Sequence, residues 1–161
     1  MRLFVAIKTD RVLNAALVNV SSSLRLFGNG GFCGEDTYHI TLAFIGESDR
    51  VSDIKTVLDG INGAPFDIST EELGSFGSTY YVGVSPSPAL DALQKSVRDG
   101  LVKAGFAIED RTFVPHITLV RRYQCEMKPV VFVPRATQRV DSVLLMQSVN
   151  GTYKTVYTKK L

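Results

Sequence analysis

The chain contains two histidines, and each begins the same tetrapeptide, H-I-T-L. His39 opens the stretch "HITLAFIG", and His116 opens "HITLVR". Histidine has an ordinary pKa near 6.5, so at neutral pH one ring of a pair can accept a proton while the other donates one. Such a pair suits acid–base catalysis on two sides of a substrate, in which each group typically contributes about 10²–10⁴-fold in rate.

A threonine follows each histidine two positions later. Because side chains alternate between the faces of a β-strand, His39 and Thr41 share one face, about 6 to 7 Å apart along the backbone, as do His116 and Thr118. The isoleucine and leucine of each tetrapeptide then point to the other face, where they can pack on a helix. Hydroxyls facing the histidines can donate hydrogen bonds to an anion whose charge grows in the transition state. Two facing H-x-T pairs therefore fit in-line attack on a phosphate, with no metal ion required.

The tetrapeptides belong to a longer repeat with an offset of 77 residues. This shift places the apolar run "LFVAI" (3–7) over "YYVGV" (80–84). It also superposes two amphipathic patterns, with Leu13, Val20 and Leu24 falling on Leu90, Val97 and Leu101. Strand, helix and H-I-T-L strand thus recur in the same order, which indicates a duplication. We expect one domain over 1–161, made of two intertwined pseudo-repeat lobes with units of roughly 1–76 and 77–161.

Capping residues and glycines mark the start and the end of each of the two repeated helices. Asp10 is a suitable N-cap for the first helix and Gly28 a suitable stop. Ser87, followed by proline, begins the second helix, and Gly105 ends it. A third helix is predicted over 49–61, where apolar residues recur at helical spacing.

The remaining segments read as strands and turns. "PFDISTEELGSF" and "YYVGVSP" are predicted as adjacent strands joined by a glycine-containing turn. "VVFVP", "RVDSVLLMQS" and "TYKTVYTKK" follow the second tetrapeptide, and Asn150-Gly151 predicts a hairpin between the last two. The prediction is an α+β, bilobal fold in which two pseudo-twofold-related lobes, each an antiparallel sheet backed by helices, flank an active-site groove.

Cysteine usage and hydropathy exclude several classes of protein. Cys33 and Cys125 are far apart and outside any C-x-x-C spacing, which argues against a disulfide framework or a zinc site. The apolar runs are too short to span a bilayer. The N-terminal sequence reaches a charge at Lys8, too early for a signal peptide. We expect a soluble cytoplasmic protein.

Charge is unevenly distributed along the chain. Residues 1–110 carry nine Lys/Arg and fourteen Asp/Glu, whereas residues 111–161 carry nine Lys/Arg and two Asp/Glu. The second tetrapeptide lies in this basic segment. A basic segment beside a polar site suits an anionic ligand such as a phosphate or a nucleic acid, although a merely solvated surface explains the charge equally well.

Paired H-x-T-x motifs in a duplicated α+β chain resemble the 2H phosphoesterase superfamily. Within it, the sequence is most similar to the RNA 2′,3′-cyclic phosphodiesterases, also named 2′-5′ RNA ligases. The likeness runs nearly end to end, through "MRLFVAI", "YHITLAFIGE", "FVPHITLVRR" and "LLMQSVNGTYKTVYTKKL".

The resemblance implies a bilobal fold whose central groove is lined by both H-x-T motifs. It implies hydrolysis of a ribose 2′,3′-cyclic phosphate to a 2′-phosphate, without a metal or nucleotide cofactor. The expected partner is RNA that ends in such a phosphate, for example tRNA halves, and we assume a monomer that does not bind membranes. By the same resemblance, His39 protonates the departing 3′ oxygen, His116 activates water, and Thr41 and Thr118 bind the phosphate.

Three further residues are expected to bind substrate. Arg121 matches a basic family residue that contacts the phosphate, but strand alternation places it on the face opposite His116 unless the strand bends. Arg122 falls on the His116 face by alternation and is a competing candidate. Phe44 matches an aromatic residue that stacks on a base, and core packing is an equally good interpretation. A guanidinium beside His116 would keep that ring neutral and suited to act as the base, although the identical tetrapeptides leave the swapped assignment open.

Other functions remain open at this point. The same chemistry in reverse would join RNA ends through 2′-5′ bonds, although water should win in dilute solution. A different 2H phosphoesterase would act on small cyclic nucleotides. A non-catalytic RNA-binding module would use the basic C-terminal segment on phosphates.

Overall fold

Two antiparallel sheets and three α-helices make up the protein, whose computed structural model describes residues 1–161. The elements are β1 (Arg2–Lys8), α1 (Arg11–Phe27), β2 (Gly28–Phe32), β3 (His39–Glu47), α2 (Val51–Asp59), β4 (Phe66–Phe76), β5 (Thr79–Val84), α3 (Pro88–Lys103), β6 (His116–Cys125), β7 (Thr137–Val140), β8 (Ser142–Val149) and β9 (Thr152–Lys160). The first sheet has the strand order β3-β1-β8-β9 and the second β2-β6-β5-β4-β7. The predicted two-lobed α+β fold is confirmed.

The helices begin where their capping residues predict. The side chains of Asp10 and Ser87 each accept a hydrogen bond from the backbone N–H three residues later, at 2.9 and 3.1 Å. Helix α1 ends before Gly28, and α3 ends two residues before Gly105, which has a φ of +94°. No helix is long and apolar enough to cross a membrane.

One hydrophobic core of 29 buried residues joins the two lobes. Ile40 and Ile117, the second residues of the two tetrapeptides, are both completely buried in it. The adjacent histidines and threonines, which alternate with them along β3 and β6, are only partly buried. The core therefore holds both motifs by their apolar faces and leaves the polar faces available.

Each sheet contains strands from both predicted repeat units. In the first sheet, β1 pairs with β8, and Arg2 lies opposite Ser148. In the second sheet, β5 pairs with β4, and Thr79 lies opposite Phe76. The second unit thus supplies β8 and β9 to the first sheet, and the first unit supplies β2 and β4 to the second sheet. The division of the chain into two repeat units stays a prediction.

Two segments of the second sheet differ from the prediction. Gly28, expected only to stop a helix, also begins strand β2, which pairs with β6. A Cβ added to Gly28 would lie 2.2 Å from the carbonyl oxygen of Gln124, so this close pairing requires glycine. The segment "VVFVP" forms no strand, and Val130 and Phe132 are 89% and 84% exposed.

The segment "RVDSVLLMQS" is not one strand, because it divides at Asp141. The residues before it belong to β7, which pairs with β4 in the second sheet. The residues after it form β8 in the first sheet, followed by the predicted hairpin, with φ values of +49° at Asn150 and +79° at Gly151.

Candidate active site

Both H-I-T-L strands contain a β-bulge at the same place. In β3, Leu42 and Ala43 are both buried, and the register against β1 gains one residue after Thr41. A bulge places two residues opposite one, so the side chains beyond it change faces. Phe44 therefore lies on the face of β3 that carries His39, and it is 48% exposed. Its position favours the interpretation as a binding residue over core packing.

The bulge in β6 explains where Arg121 lies. Leu119 and Val120 are both completely buried, and the register against β5 gains one residue after Thr118. Arg121 is exposed and follows directly, so it shares the face that carries His116. Simple alternation predicts the opposite face for Arg121, and that prediction is wrong because of the extra residue.

A second irregularity follows at Arg122, which has a φ of +53°. Between the pairs Asn29–Gln124 and Gly31–Arg121, strand β6 has one residue more than β2. The next side chain, Tyr123, is buried. Arg121 and Arg122 therefore lie on the same side of the sheet. They reach different surroundings, because Arg121 Nη1 lies 3.3 Å from the sulfur of Cys33, whereas Arg122 Nη2 lies against Gly31.

The two imidazoles are held in the same way. His39 Nδ1 lies 2.7 Å from the carbonyl oxygen of Thr37, and His116 Nδ1 lies 2.6 Å from that of Val114. Because a carbonyl oxygen can only accept, each Nδ1 carries a hydrogen. Nε2 is then the nitrogen that takes up or releases a proton. His39 Nε2 lies 3.0 Å from Thr41 Oγ1.

Aromatic side chains from neighbouring strands enclose both rings. The ring centroids are 5.1, 5.2, 5.1 and 5.1 Å apart in the pairs Phe4–His39, Tyr153–His39, Phe76–His116 and Tyr81–His116. These four residues were not predicted from the sequence, since they lie far from the tetrapeptides along the chain. Only the strand registers bring them to the histidines.

Burial and two positive charges lower the pKa of His39 below its ordinary value. Burial lowers the pKa of His39, and the positive charges of Arg121 and His116 lower it further, against a hydrogen bond to Thr37 that raises it. The charge of Arg121 thus acts on the histidine of the other motif. The free protein therefore holds His39 in the neutral form at neutral pH.

One cleft of about 560 Å³ brings the two motifs together, and we name it the Thr41–His116 cleft after the residues that line it from each motif. Phe44, Phe76 and Gln94 also line it, together with residues from the segment 107–114. A larger concavity of about 680 Å³, between β4 and the segment 128–133, contains none of the motif residues. The smaller cleft therefore contains one polar residue from each motif, whereas His39, Thr118 and Arg121 do not line it.

Replacing Arg121 by methionine is expected to raise the pKa of His39, because one of the positive charges that disfavour its protonation is removed. The pKa stays below the ordinary 6.5, since burial remains the largest cause. Titration of the two imidazoles by NMR measures the effect, with Arg122→Met as the matched control. An unchanged His39 titration in Arg121→Met would contradict the electrostatic effect of Arg121 on His39.

The sequence is similar to one protein family and to several of its members. The family profile of the 2′-5′ RNA ligase superfamily matches residues 26–151. An RNA 2′,3′-cyclic phosphodiesterase of Archaeoglobus fulgidus is 31% identical over 140 residues, which cover 81% of this chain and 79% of the relative. An enzyme of the same name from Geobacillus stearothermophilus is 31% identical over 124 residues, covering 71% of this chain but 38% of that longer relative.

Structural comparison supports the same fold. The crystal structure of E. coli LigT complexed with 3′-AMP superposes with a TM-score of 0.81 at 22% sequence identity. The match covers 99% of this chain and 97% of that chain. At this level of identity the likeness shows the two-lobed fold.

Proposed function

Because the chain belongs to the 2′-5′ RNA ligase superfamily, we propose that it is a phosphodiesterase that hydrolyses RNA 2′,3′-cyclic phosphate ends to 2′-phosphates. The observation that supports this most directly is the matched arrangement of the two imidazoles. Each has its Nδ1 bound to a backbone carbonyl, which leaves Nε2 for proton transfer. A two-sided acid–base pair is what in-line displacement at a phosphate needs.

Phosphate binding falls to the hydroxyls and to one guanidinium. Thr41 and Thr118 would donate hydrogen bonds to phosphate oxygens, and Arg121 would add a charge-assisted contact. Arg122 lies on the same side but against β2, so we assign it a contact with a phosphate further along an RNA strand. Phe44 would stack on the base of the terminal nucleotide.

The proposed reaction uses the histidines in sequence. His116 Nε2 takes a proton from water, and the water oxygen attacks phosphorus in line with the bond to the 3′ oxygen. That bond breaks, His39 Nε2 gives its proton to the 3′ oxygen, and the phosphate remains on the 2′ oxygen. His39 must be protonated for this role, whereas burial and Arg121 favour its neutral form in the free protein. The negative charge of the bound phosphate opposes that effect.

The swapped assignment, with His39 as the base, is the specific alternative that the electrostatics of the free protein favour. In either assignment the same displacement, with a 5′-hydroxyl in place of water, would break the bond to the 3′ oxygen and join the two RNA ends through a 2′-5′ bond. Water is present in large excess, so hydrolysis is expected to dominate at low RNA concentration.

The proposed function is tested with a short RNA ending in a 2′,3′-cyclic phosphate, incubated with the purified protein in EDTA. We expect complete conversion to a 2′-phosphate. A 3′-phosphate product would contradict the proposed regiochemistry and indicate a different 2H phosphoesterase activity. Absence of conversion, combined with RNA binding that survives His39→Ala, would support a non-catalytic RNA-binding module instead.

A further inference from the structure

Two half-exposed phenylalanines from different sheets line the Thr41–His116 cleft. Phe44 comes from β3 in the first sheet and is 48% exposed, and Phe76 comes from the end of β4 in the second sheet and is 47% exposed. We propose that Phe76 forms the second wall of a nucleobase site, so that the base of the terminal nucleotide is held between the two lobes. The proposal rests on the proposed function, because it deepens how the substrate is bound.

The chemistry of the substrate favours this place for the base. In a ribose 2′,3′-cyclic phosphate, the base is attached to C1′, directly next to the carbon that carries the 2′ oxygen. A base must therefore lie within a few bonds of the phosphate that His116 and Thr41 would contact. Both residues line the cleft, and its volume of about 560 Å³ lies within the usual range for small-molecule sites.

The composition of the cleft suits a flat aromatic group. Nine of its fifteen lining residues are hydrophobic, and the polar ones include Gln94, Glu109 and Arg111. Bases stack on aromatic side chains without strict dependence on sequence, because every base has an aromatic face. An apolar cleft with a few polar groups at its edge therefore accepts a base by stacking.

The ring of Phe76 is held in place by residues of the second sheet. It packs on Tyr81 with a centroid distance of 4.6 Å and meets the ring of His116 edge-on at 5.1 Å. Tyr81 in turn lies over Gly74, where an added Cβ would come within 2.5 Å of its ring. A base stacked on Phe76 would consequently keep its ribose beside His116.

Phe44 is supported from the first sheet. The guanidinium of Arg2 lies over its ring at 4.8 Å from the centroid, a cation–π contact that restricts the ring. The two phenylalanines are therefore each braced by a neighbour of their own sheet. Because both rings line the same cleft, a base that stacked on both would contact both lobes.

Two RNA substrates that differ only in the terminal base test the proposal. One ends in adenosine 2′,3′-cyclic phosphate, and the other has hydrogen in place of that base on the same cyclic phosphate. For the first substrate, Phe76→Ala is expected to raise KM about tenfold through the loss of stacking, and for the base-free substrate to change it less than twofold. Phe76→Tyr should stay near the wild-type KM on both substrates.

Phe132→Ala is the matched control, because Phe132 is 84% exposed and lies outside the Thr41–His116 cleft. It should leave both substrates unaffected. Equal losses on both substrates in Phe76→Ala would mean that Phe76 only holds His116, and would overturn the base site. No loss on either substrate would overturn it as well.

A binding measurement separates this proposal from the proposed function. If the wild type converts neither substrate, the proposed function fails, and calorimetry with adenosine 2′-monophosphate and with ribose phosphate then tests the base site alone. Affinity for the nucleotide that falls about tenfold in Phe76→Ala, with ribose phosphate unaffected, supports the site. Equal nucleotide affinity in wild type and variant overturns it. Thermal melting of Phe76→Ala and of Phe76→Tyr verifies that both variants are folded.

Discussion

Alanine in place of either His39 or His116 is expected to lower kcat on an RNA 2′,3′-cyclic phosphate by about 10²–10⁴-fold, because each variant removes one of the two proton transfers. The kcat of the double variant should be little lower than that of the less active single variant, because the effects of substituting residues that act as a unit are not additive. Steady-state rates with product analysis measure the effect. Retention of more than a tenth of the activity in either single variant would contradict the two-histidine mechanism.

The same two variants determine which imidazole is the acid. A phosphodiester with a p-nitrophenolate leaving group needs no protonation of the departing oxygen. Its hydrolysis therefore requires the general base but not the general acid. If His39 is the acid, this substrate rescues His39→Ala and not His116→Ala. The alkaline limb of the pH–rate profile, where the acid loses its proton, is then flattened in the rescued variant. Rescue of His116→Ala alone would establish the swapped assignment. Equal thermal stability of the two variants is the control for folding.

Arg121→Ala is expected to lower kcat/KM by about 10²–10³-fold, the range found when one donor to a developing anionic charge is removed. The reason is its position: the bulge at Leu119–Val120 directs Arg121 to the His116 face, where its charge also reaches His39. Arg121→Lys should recover part of this loss, because it keeps the charge without the two-pronged geometry.

Arg122→Ala is the matched control for Arg121, because the two residues are adjacent, of the same type and both exposed. On a dinucleotide substrate it should change kcat/KM less than threefold, and on a longer RNA it should weaken binding and reduce the salt dependence of affinity. Equal losses in the two arginine variants on the dinucleotide would contradict the assignment of the phosphate contact to Arg121.

Local features were predictable from the sequence. The start of α1 depends on the side chain of Asp10 and a backbone N–H three residues away, so it is independent of the rest of the fold. The sharing of a face by His39 and Thr41 is likewise a property of a single strand. The 77-residue offset between the histidines then predicted a duplicated arrangement without knowledge of either sheet.

Features set by a partner strand were not predictable. The face of Arg121 depends on a bulge, which exists only in the register between β6 and β5. Strand β2 was missed because its glycines lack strand propensity, although they permit close approach to β6. Phe76 belongs to no motif, and it reaches His116 only because β4 pairs with β5 and β5 pairs with β6.

The exchange of strands between the two halves also affects how the chain folds during its synthesis. Strand β1 emerges from the ribosome long before its partner β8, which begins at Ser142, so the first sheet stays incomplete while all the intervening elements are synthesised. Contacts between such distant segments form slowly, and unpaired strands are prone to aggregation in the meantime. Premature termination before β8 would leave a nascent chain with an open β1 edge, a substrate for chaperones and proteases.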